Sequence, residues 1–334
     1  VNSENAGQAS SGGGALKKRV FGILCVATSA ALLGFLVGRV DVERMKLVLG
    51  HAQYAWLLAA FLVTCCIPFF TVLRWMGVLR AQREIQVSFS VALRAILMAN
   101  VLNSFLPSKA GDGAKAFYLR KQGGLTRGLG TVILERSVDF TILGILGILG
   151  YWLSGVTWGL ITGLILLMGM ACFFSAVFFL PMEKLPLPKN VISRLSTLPP
   201  LYRNWIRTPR AVFQTVFASF CCWSMAGLIV CCLVSALDAG VSWGYAYGIF
   251  PMAILSGLVP VTVSGVGTRD SAFVFLLSTQ MPLEEATLVG IGYTLFAYWL
   301  LSLISLPIVF WEIISYFRTP SSVTPSETTC PPSP

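Results

Sequence analysis

The chain is dominated by apolar runs of about the length a helix needs to cross a bilayer. Val20 to Val37, Tyr54 to Leu73, Gly128 to Leu153, Trp158 to Leu180 and Ala211 to Leu237 are such runs, and one more lies within Glu285 to Phe317. A helical span takes ~20 predominantly apolar residues. Inside lipid the backbone can hydrogen-bond only to itself, so spans of this kind are helices. Hydrophobic residues make up 56% of the chain and charged ones 11%, against roughly 25% charged in soluble domains. The fold class expected is an all-α polytopic membrane protein.

Two places break this pattern in the same way. Leu106-Pro-Ser-Lys-Ala-Gly-Asp-Gly-Ala-Lys-Ala-Phe117 carries a proline, then glycines, then a cation. Val259-Pro-Val-Thr-Val-Ser-Gly-Val-Gly-Thr-Arg-Asp-Ser-Ala-Phe273 repeats the order, with one extra residue between proline and cation. Irregular backbone at membrane depth is tolerated only where protein buries it or where it lines a cavity. Paired interruptions in two halves of such a chain point to a transport site.

The cations decide how these segments face. If Ser88 to Leu106 crossed fully, Lys109, Lys115, Arg120, Lys121 and Arg127 would lie outside, against the positive-inside rule. A re-entrant hairpin at about 88–122 keeps them inside. The basic segment between Glu183 and Arg210 is cytoplasmic by the same rule, so a second hairpin at about 244–279 enters from the outer side. Lys17-Lys18-Arg19 precede the first apolar run, which is too long for a signal peptide. The expectation is about six spans plus two oppositely oriented re-entrant hairpins within 17–318. Residues 1–16 and 319–334 read as disordered tails, with both termini in the cytoplasm and the chain in the cell (inner) membrane.

Several function classes fall away. The net charge of +10 follows span boundaries and carries no nucleic-acid signal. Cys25, Cys65, Cys66, Cys172, Cys221, Cys222, Cys231 and Cys232 sit in apolar runs, where cysteine acts as a small hydrophobe. His51 is the single histidine, so neither a His/Cys metal site nor histidine catalysis is expected. Gly265-Val266-Gly267 lacks the strand and third glycine of a dinucleotide fingerprint. No cofactor, metal or catalytic residue is assigned.

The residues left to carry chemistry surround the two interruptions. Gly111 and Gly113 in one, and Gly265 and Gly267 in the other, lead into renewed helices whose free N–H groups suit an anion. Lys115 and Arg269 lie in the first turn and would add countercharge, with Asp112, Asp270 and Ser264 beside them. The alternative is that the glycines only permit turns and the cations snorkel to the interface. Glu135 and Asp139 are four residues apart and share a helix face, with Arg136 able to pair with Asp139 at i,i+3. They read either as coupling or head-group-facing carboxylates, or as an internal ion pair joined by Lys115 or Arg269. Arg74 reads as a phosphate contact or as a snorkelling side chain. Asn100 and Asn103 would bond the broken backbone.

Asn103-x-x-x-Pro107-x-x-x-Gly111-Asp112-x-x-Lys115-Ala116, Glu135-Arg136-x-x-Asp139 and Pro260-x-x-x-Ser264-Gly265-x-Gly267-x-Arg269-Asp270, taken in order, resemble the membrane region of lysylphosphatidylglycerol synthase/flippase proteins. The resemblance covers roughly Lys18 to Phe317. It departs from the family at Lys115, usually arginine, and at Asp270, usually glutamate; a bidentate grip is lost at Lys115. Aminoacylating members carry a soluble synthase domain after this region, whereas this chain stops at Pro334, so lysyl transfer by this polypeptide is not expected. The resemblance implies movement of a lipid between leaflets, with an anionic phospholipid or lipid-linked glycan as cargo. Substrate contacts would then come from Arg74, Asn103, Gly111, Asp112, Gly113, Lys115, Ser264, Gly265, Gly267 and Arg269. Glu135, Arg136, Asp139 and Asp270 would be coupling or head-group-facing. With no nucleotide-binding motif in the sequence, transport would be passive or ion-coupled. The alternatives are a membrane-embedded lipid-phosphate transferase using Glu135, Asp139 or Asp112, or a scaffold for a separate lipid synthase or glycosyltransferase.

Overall fold

The computed structural model describes residues 23–32, 34–35, 38, 41–82, 84–106, 110–181, 186, 188–258 and 261–318. Both tails, the Lys17-Lys18-Arg19 cluster, Arg83, Pro107, Lys109, Lys184 and Pro260 lie outside them. Among the described residues the chain is helical, with no strand. A short helix α1 at Ile23–Leu32 is followed by α2 (Val42–Gly50), α3 (Tyr54–Arg80), α4 (Phe89–Phe105) and α5 (Gly113–Tyr118). Then come α6 (Arg120–Ser154), α7 (Thr157–Phe179), α8 (Lys189–Leu195), α9 (Leu198–Ile206) and α10 (Pro209–Ala236). The chain closes with α11 (Trp243–Gly257), α12 (Thr268–Leu277), α13 (Leu283–Thr294), a π-helical turn at Leu295–Leu300 and α14 (Leu301–Arg318).

Among the described residues, four segments are long and apolar enough to cross a membrane: Tyr54–Arg80, Thr157–Phe179, Pro209–Ala236 and Leu283–Glu312. The fold is that of an all-α, multi-pass membrane protein. The other two spans expected from sequence fall on α1, described for ten residues, and on α6, whose 35 residues carry the charged cluster described below. Both interruptions are present as breaks between helices. The first joins α4 to α5 through a 3₁₀ turn at Ala110–Asp112, and the second joins α11 to α12. They differ in their outgoing arms: α5 has six residues and α12 has ten.

Close backbone contact holds the bundle together, as expected where lipid supplies no hydrophobic drive between helices. A Cβ at Gly150 of α6 would lie 2.3 Å from the Gly248 carbonyl oxygen of α11, a distance only glycine permits. Helix α9 packs differently. Its buried residues Leu198, Leu201, Tyr202 and Trp205 fall at i, i+3, i+4 and i+7, one stripe of an amphipathic helix. The Tyr202 hydroxyl donates to Ser137 Oγ on α6 at 2.8 Å, and Trp205 Nε1 donates to Thr215 Oγ1 on α10 at 3.2 Å. The stripe therefore docks on the bundle and turns Arg203 outward.

Candidate functional site

Six charged side chains from three parts of the chain meet where α3, the first break and α6 pack together. Arg74 comes from α3, Asp112 from the 3₁₀ turn, Lys115 from α5, and Glu135, Arg136 and Asp139 from α6. Glu135 is wholly buried. Its Oε1 accepts from Arg74 Nε at 2.7 Å, and Lys115 Nζ donates to Oε2 at 2.8 Å and Oε1 at 3.0 Å. Asp139 accepts from Arg74 Nη1 at 2.7 Å, and Arg136 Nη1 lies 2.9 Å from its other oxygen. Arg136 Nη2 lies 3.0 Å from Asp112 Oδ2, and Lys115 Nζ lies 3.7 Å from Asp112 Oδ1.

These six groups comprise three cations and three carboxylates, so their formal charges cancel. Charges at this depth persist only when paired and hydrogen-bonded, and neutral donors add to the pairing. Ser219 Oγ and Trp223 Nε1, both on α10, donate to Asp139 Oδ1 at 2.5 and 3.0 Å. Asn103 Nδ2 donates to Asp112 Oδ1 at 3.1 Å. Asn103, expected to bond the broken backbone, places its amide on a side chain of the turn instead. Arg74, six residues before the end of α3, sits ~9 Å inward from it at 1.5 Å per residue.

A cavity of about 110 Å³ adjoins the cluster. Arg74, Lys115, Arg136 and Asp112 line it, as do Asn103 and Tyr298. Glu135 and Asp139 touch the cations but are not part of the lining. Among the described residues the surface facing the cavity therefore carries three cations and one carboxylate, with Glu135 and Asp139 behind them.

The second interruption is built around Arg269, which is 1% exposed. Its Nη2 donates to Thr294 Oγ1 at 2.5 Å and its Nη1 to the Ser264 carbonyl at 3.3 Å. Thr294 in turn donates to Asp270 Oδ1 at 2.5 Å. The guanidinium lies 4.0 Å from the Tyr298 ring centroid and 5.3 Å from that of Tyr293, the geometry of cation–π stacking. In a regular α-helix residues five apart point about 140° away from each other. The π-helical turn at Leu295–Leu300, with its wider i→i+5 repeat, brings Tyr298 to the side of Tyr293.

Arg269 does not line the cavity, whereas Tyr293 and Tyr298 do. Lys115 and Arg269, read from sequence as countercharges for one ligand, are thus placed differently. Lys115 forms part of the cavity wall, and Arg269 contacts that wall through two tyrosine rings.

The glycines have mainly steric roles here. A Cβ at Gly111 would meet Asn103 N at 2.6 Å, while one at Gly113 would meet nothing within 4 Å. Gly265 has φ +75° and lies against Gly257, whose oxygen would be 2.7 Å from an added Cβ. Gly267 N–H, expected as a free donor, donates to Asp270 Oδ2 at 3.0 Å. The buried Ser264 Oγ has no hydrogen-bond partner among the described residues, and its backbone has φ +55°. Helix α1 closes over this break: Val263 N–H donates to Ser29 Oγ at 2.9 Å, and a Cβ at Gly267 would lie 2.8 Å from Leu32 Cβ.

Sequence reading missed Trp223, Ser219, Thr294, Tyr293 and Tyr298. Trp223 offered one signal, because it sits mid-span, away from the interfacial belt where tryptophans collect, and its buried N–H needs an acceptor.

Residues 21–305 match the family described as the lysylphosphatidylglycerol synthase TM region. The chain belongs to that family. A search of curated proteins found no match. Membership in the lysylphosphatidylglycerol synthase TM region family places the chain among membrane proteins of lipid metabolism or transport, in keeping with its apolar helices.

Proposed function

We propose that the 110 Å³ cavity receives the phosphate-bearing head group of a membrane lipid, and that the protein moves such a lipid between leaflets. One observation carries the reading: a cavity inside an apolar helical bundle is walled by Arg74, Lys115 and Arg136, with Asp112 alone opposing them among the described lining residues. Its volume holds on the order of three or four waters at about 30 Å³ each, or one phosphate-sized group in their place. Charge-assisted hydrogen bonds from arginine and lysine are the usual means of holding phosphate. Glu135 and Asp139 keep these cations oriented and make their burial tolerable before a ligand arrives. An acid–base role for the carboxylates has less support, because each has a cationic nitrogen within 3.0 Å. The charge distribution supports placement in the cell membrane with cytoplasmic termini. A separate lipid synthase or glycosyltransferase would be the partner that supplies the lipid.

The test is leaflet exchange of a fluorescent phosphatidylglycerol in proteoliposomes. Arg136→Gln is the variant of choice, because its side chain is the most exposed of the cluster at 22% and the fold should survive. Loss of one charge-assisted hydrogen bond, about 1.5–3 kcal/mol, slows exchange at least about tenfold. Wild-type exchange by folded Arg136→Gln protein would remove the reading.

A further inference from the structure

A second polar recess lies away from the cavity and shares no residue with it. It is a groove of about 400 Å³ lined by Ala81, Gln82, Glu84, Arg127, Asn204, Arg207 and Thr208. Three stretches of chain form it: the end of α3 with the connection after it, the first turns of α6, and the turn between α9 and α10. Its floor is fixed by hydrogen bonds. Gln82, 6% exposed, donates from Nε2 to the Leu201 carbonyl at 3.1 Å and accepts from Asn204 Nδ2 at 3.3 Å. The Thr208 hydroxyl donates to the Asn204 carbonyl at 3.0 Å.

The two guanidiniums of the groove differ in status. Arg127 is paired with Glu84. The exposed Arg207 makes no side-chain hydrogen bond or ion pair among the described residues; its backbone N–H donates to the Arg203 carbonyl. Among the described lining residues, Arg127, Arg207 and Glu84 sum to one net positive charge, and Arg80, Arg203 and Arg210 on the adjoining helix ends are exposed cations as well.

Position supplies the second half of the argument. Two candidate spans, Tyr54–Arg80 and Pro209–Ala236, pack extensively against each other. One ends at Arg80 and the other begins at Pro209, so the groove lies where both leave the apolar layer. Lipid phosphates stand at that level of a bilayer, just beyond the hydrocarbon.

We infer that this groove is a second, peripheral phosphate-binding site, with Arg207 as the principal ligand and Arg127 as its neighbour. The ligand chemistry is a phosphate group, from a lipid head group or from free phosphate. Guanidinium suits it because its planar donors match two phosphate oxygens at once.

The experiment measures the melting temperature of purified full-length protein in two arms, with Arg207→Gln, Arg207→Lys and, as an exposed cation outside the groove, Arg194→Gln. One arm adds inorganic phosphate to protein in a neutral detergent. The other compares nanodiscs of phosphatidylcholine alone with nanodiscs containing phosphatidylglycerol. In wild type and Arg194→Gln, phosphatidylglycerol raises the melting temperature. In Arg207→Gln the apparent affinity falls about tenfold, as loss of a charge-assisted contact implies, and Arg207→Lys falls between them. A rise in both arms that Arg207→Gln weakens supports the site with either source. A rise confined to the lipid arm supports it with a head group as ligand, and one confined to the free-phosphate arm supports it with the free ion. Equal rises in Arg207→Gln and wild type, or no rise in wild type in either arm, overturn the inference. Because no cavity residue is altered, these outcomes do not depend on the leaflet-exchange result.

Discussion

Replacing Glu135 by glutamine keeps the volume of the side chain and removes its charge, which isolates the electrostatics of the cluster. Glu135 is 0% exposed and holds Arg74 at 2.6 Å and Lys115 at 2.8 Å. Without it the six-group cluster drops from three carboxylates to two against three cations. Breaking a buried pair by removing one partner costs about 3–5 kcal/mol, because the remaining charge stays buried. At roughly 2 °C per kcal/mol for a chain of this size, the melting temperature falls by about 6–10 °C. Lys115→Met alone leaves the opposite excess and costs a similar amount. The double variant leaves Arg74 and Arg136 facing Asp112 and Asp139, two against two. Its loss is therefore smaller than the sum of the single losses by about 2 kcal/mol, within the usual range for coupled neighbours, or about 4 °C. Thermal unfolding of the four proteins in one detergent closes the cycle. Strictly additive losses would show that Glu135 and Lys115 do not neutralise each other, and the balanced-cluster account would fail.

The two glycines of the first break should behave oppositely in thermal melts. Gly111→Ala places a methyl 2.6 Å from Asn103 N and costs about 1–3 kcal/mol by overpacking, whereas Gly113→Ala enters open space and stays within about 0.5 kcal/mol of wild type. Ser29→Ala strips the Val263 N–H of its acceptor, worth about 1–3 kcal/mol when buried, and hydrogen exchange at Val263 accelerates; unchanged exchange would mean that α1 does not hold the second break. Asp112→Asn removes the carboxylate found among the described lining residues of the cavity, so phosphate should raise its melting temperature more than it raises that of wild type, and equal rises would count against an anion in the cavity.

Much of the framework is legible in the sequence, because each element rests on local information. The apolar runs fall within two residues of α7 and α10 at both ends and share the start of α3, which continues past Leu73 to Arg80, since length and hydropathy alone define a span. Both breaks lie where glycine and proline interrupt apolar sequence. The shared face of Glu135 and Asp139, and the Arg136–Asp139 pair at i,i+3, follow from helical geometry, and the structure has both. The partners across helices are another matter. Arg74 meets Glu135 across 61 residues and Asp139 across 65, and that meeting depends on how far α3 and α6 rotate and slide against each other. Nothing local encodes it. The position of Tyr298 over Arg269 depends on the π-helical turn, which propensity does not signal.

One constraint in the sequence still reaches across that gap. The chain has 14 acidic residues, and few fall beside apolar sequence away from span ends. A buried cation must be neutralised close by, so Arg74, Lys115 and Arg136 could be buried only where Asp112, Glu135 and Asp139 could reach them. The same constraint bears on the proposed function. A cluster that already balances its own charge is not an empty positive socket. A phosphate entering the cavity takes donors that the carboxylates now hold, and the cations must divide between the two. Binding on those terms is an exchange of partners at nearly constant charge, which limits its strength and leaves release accessible. A carrier must also let its cargo go, and for that task a balanced wall is better suited than an unopposed cluster of arginine and lysine.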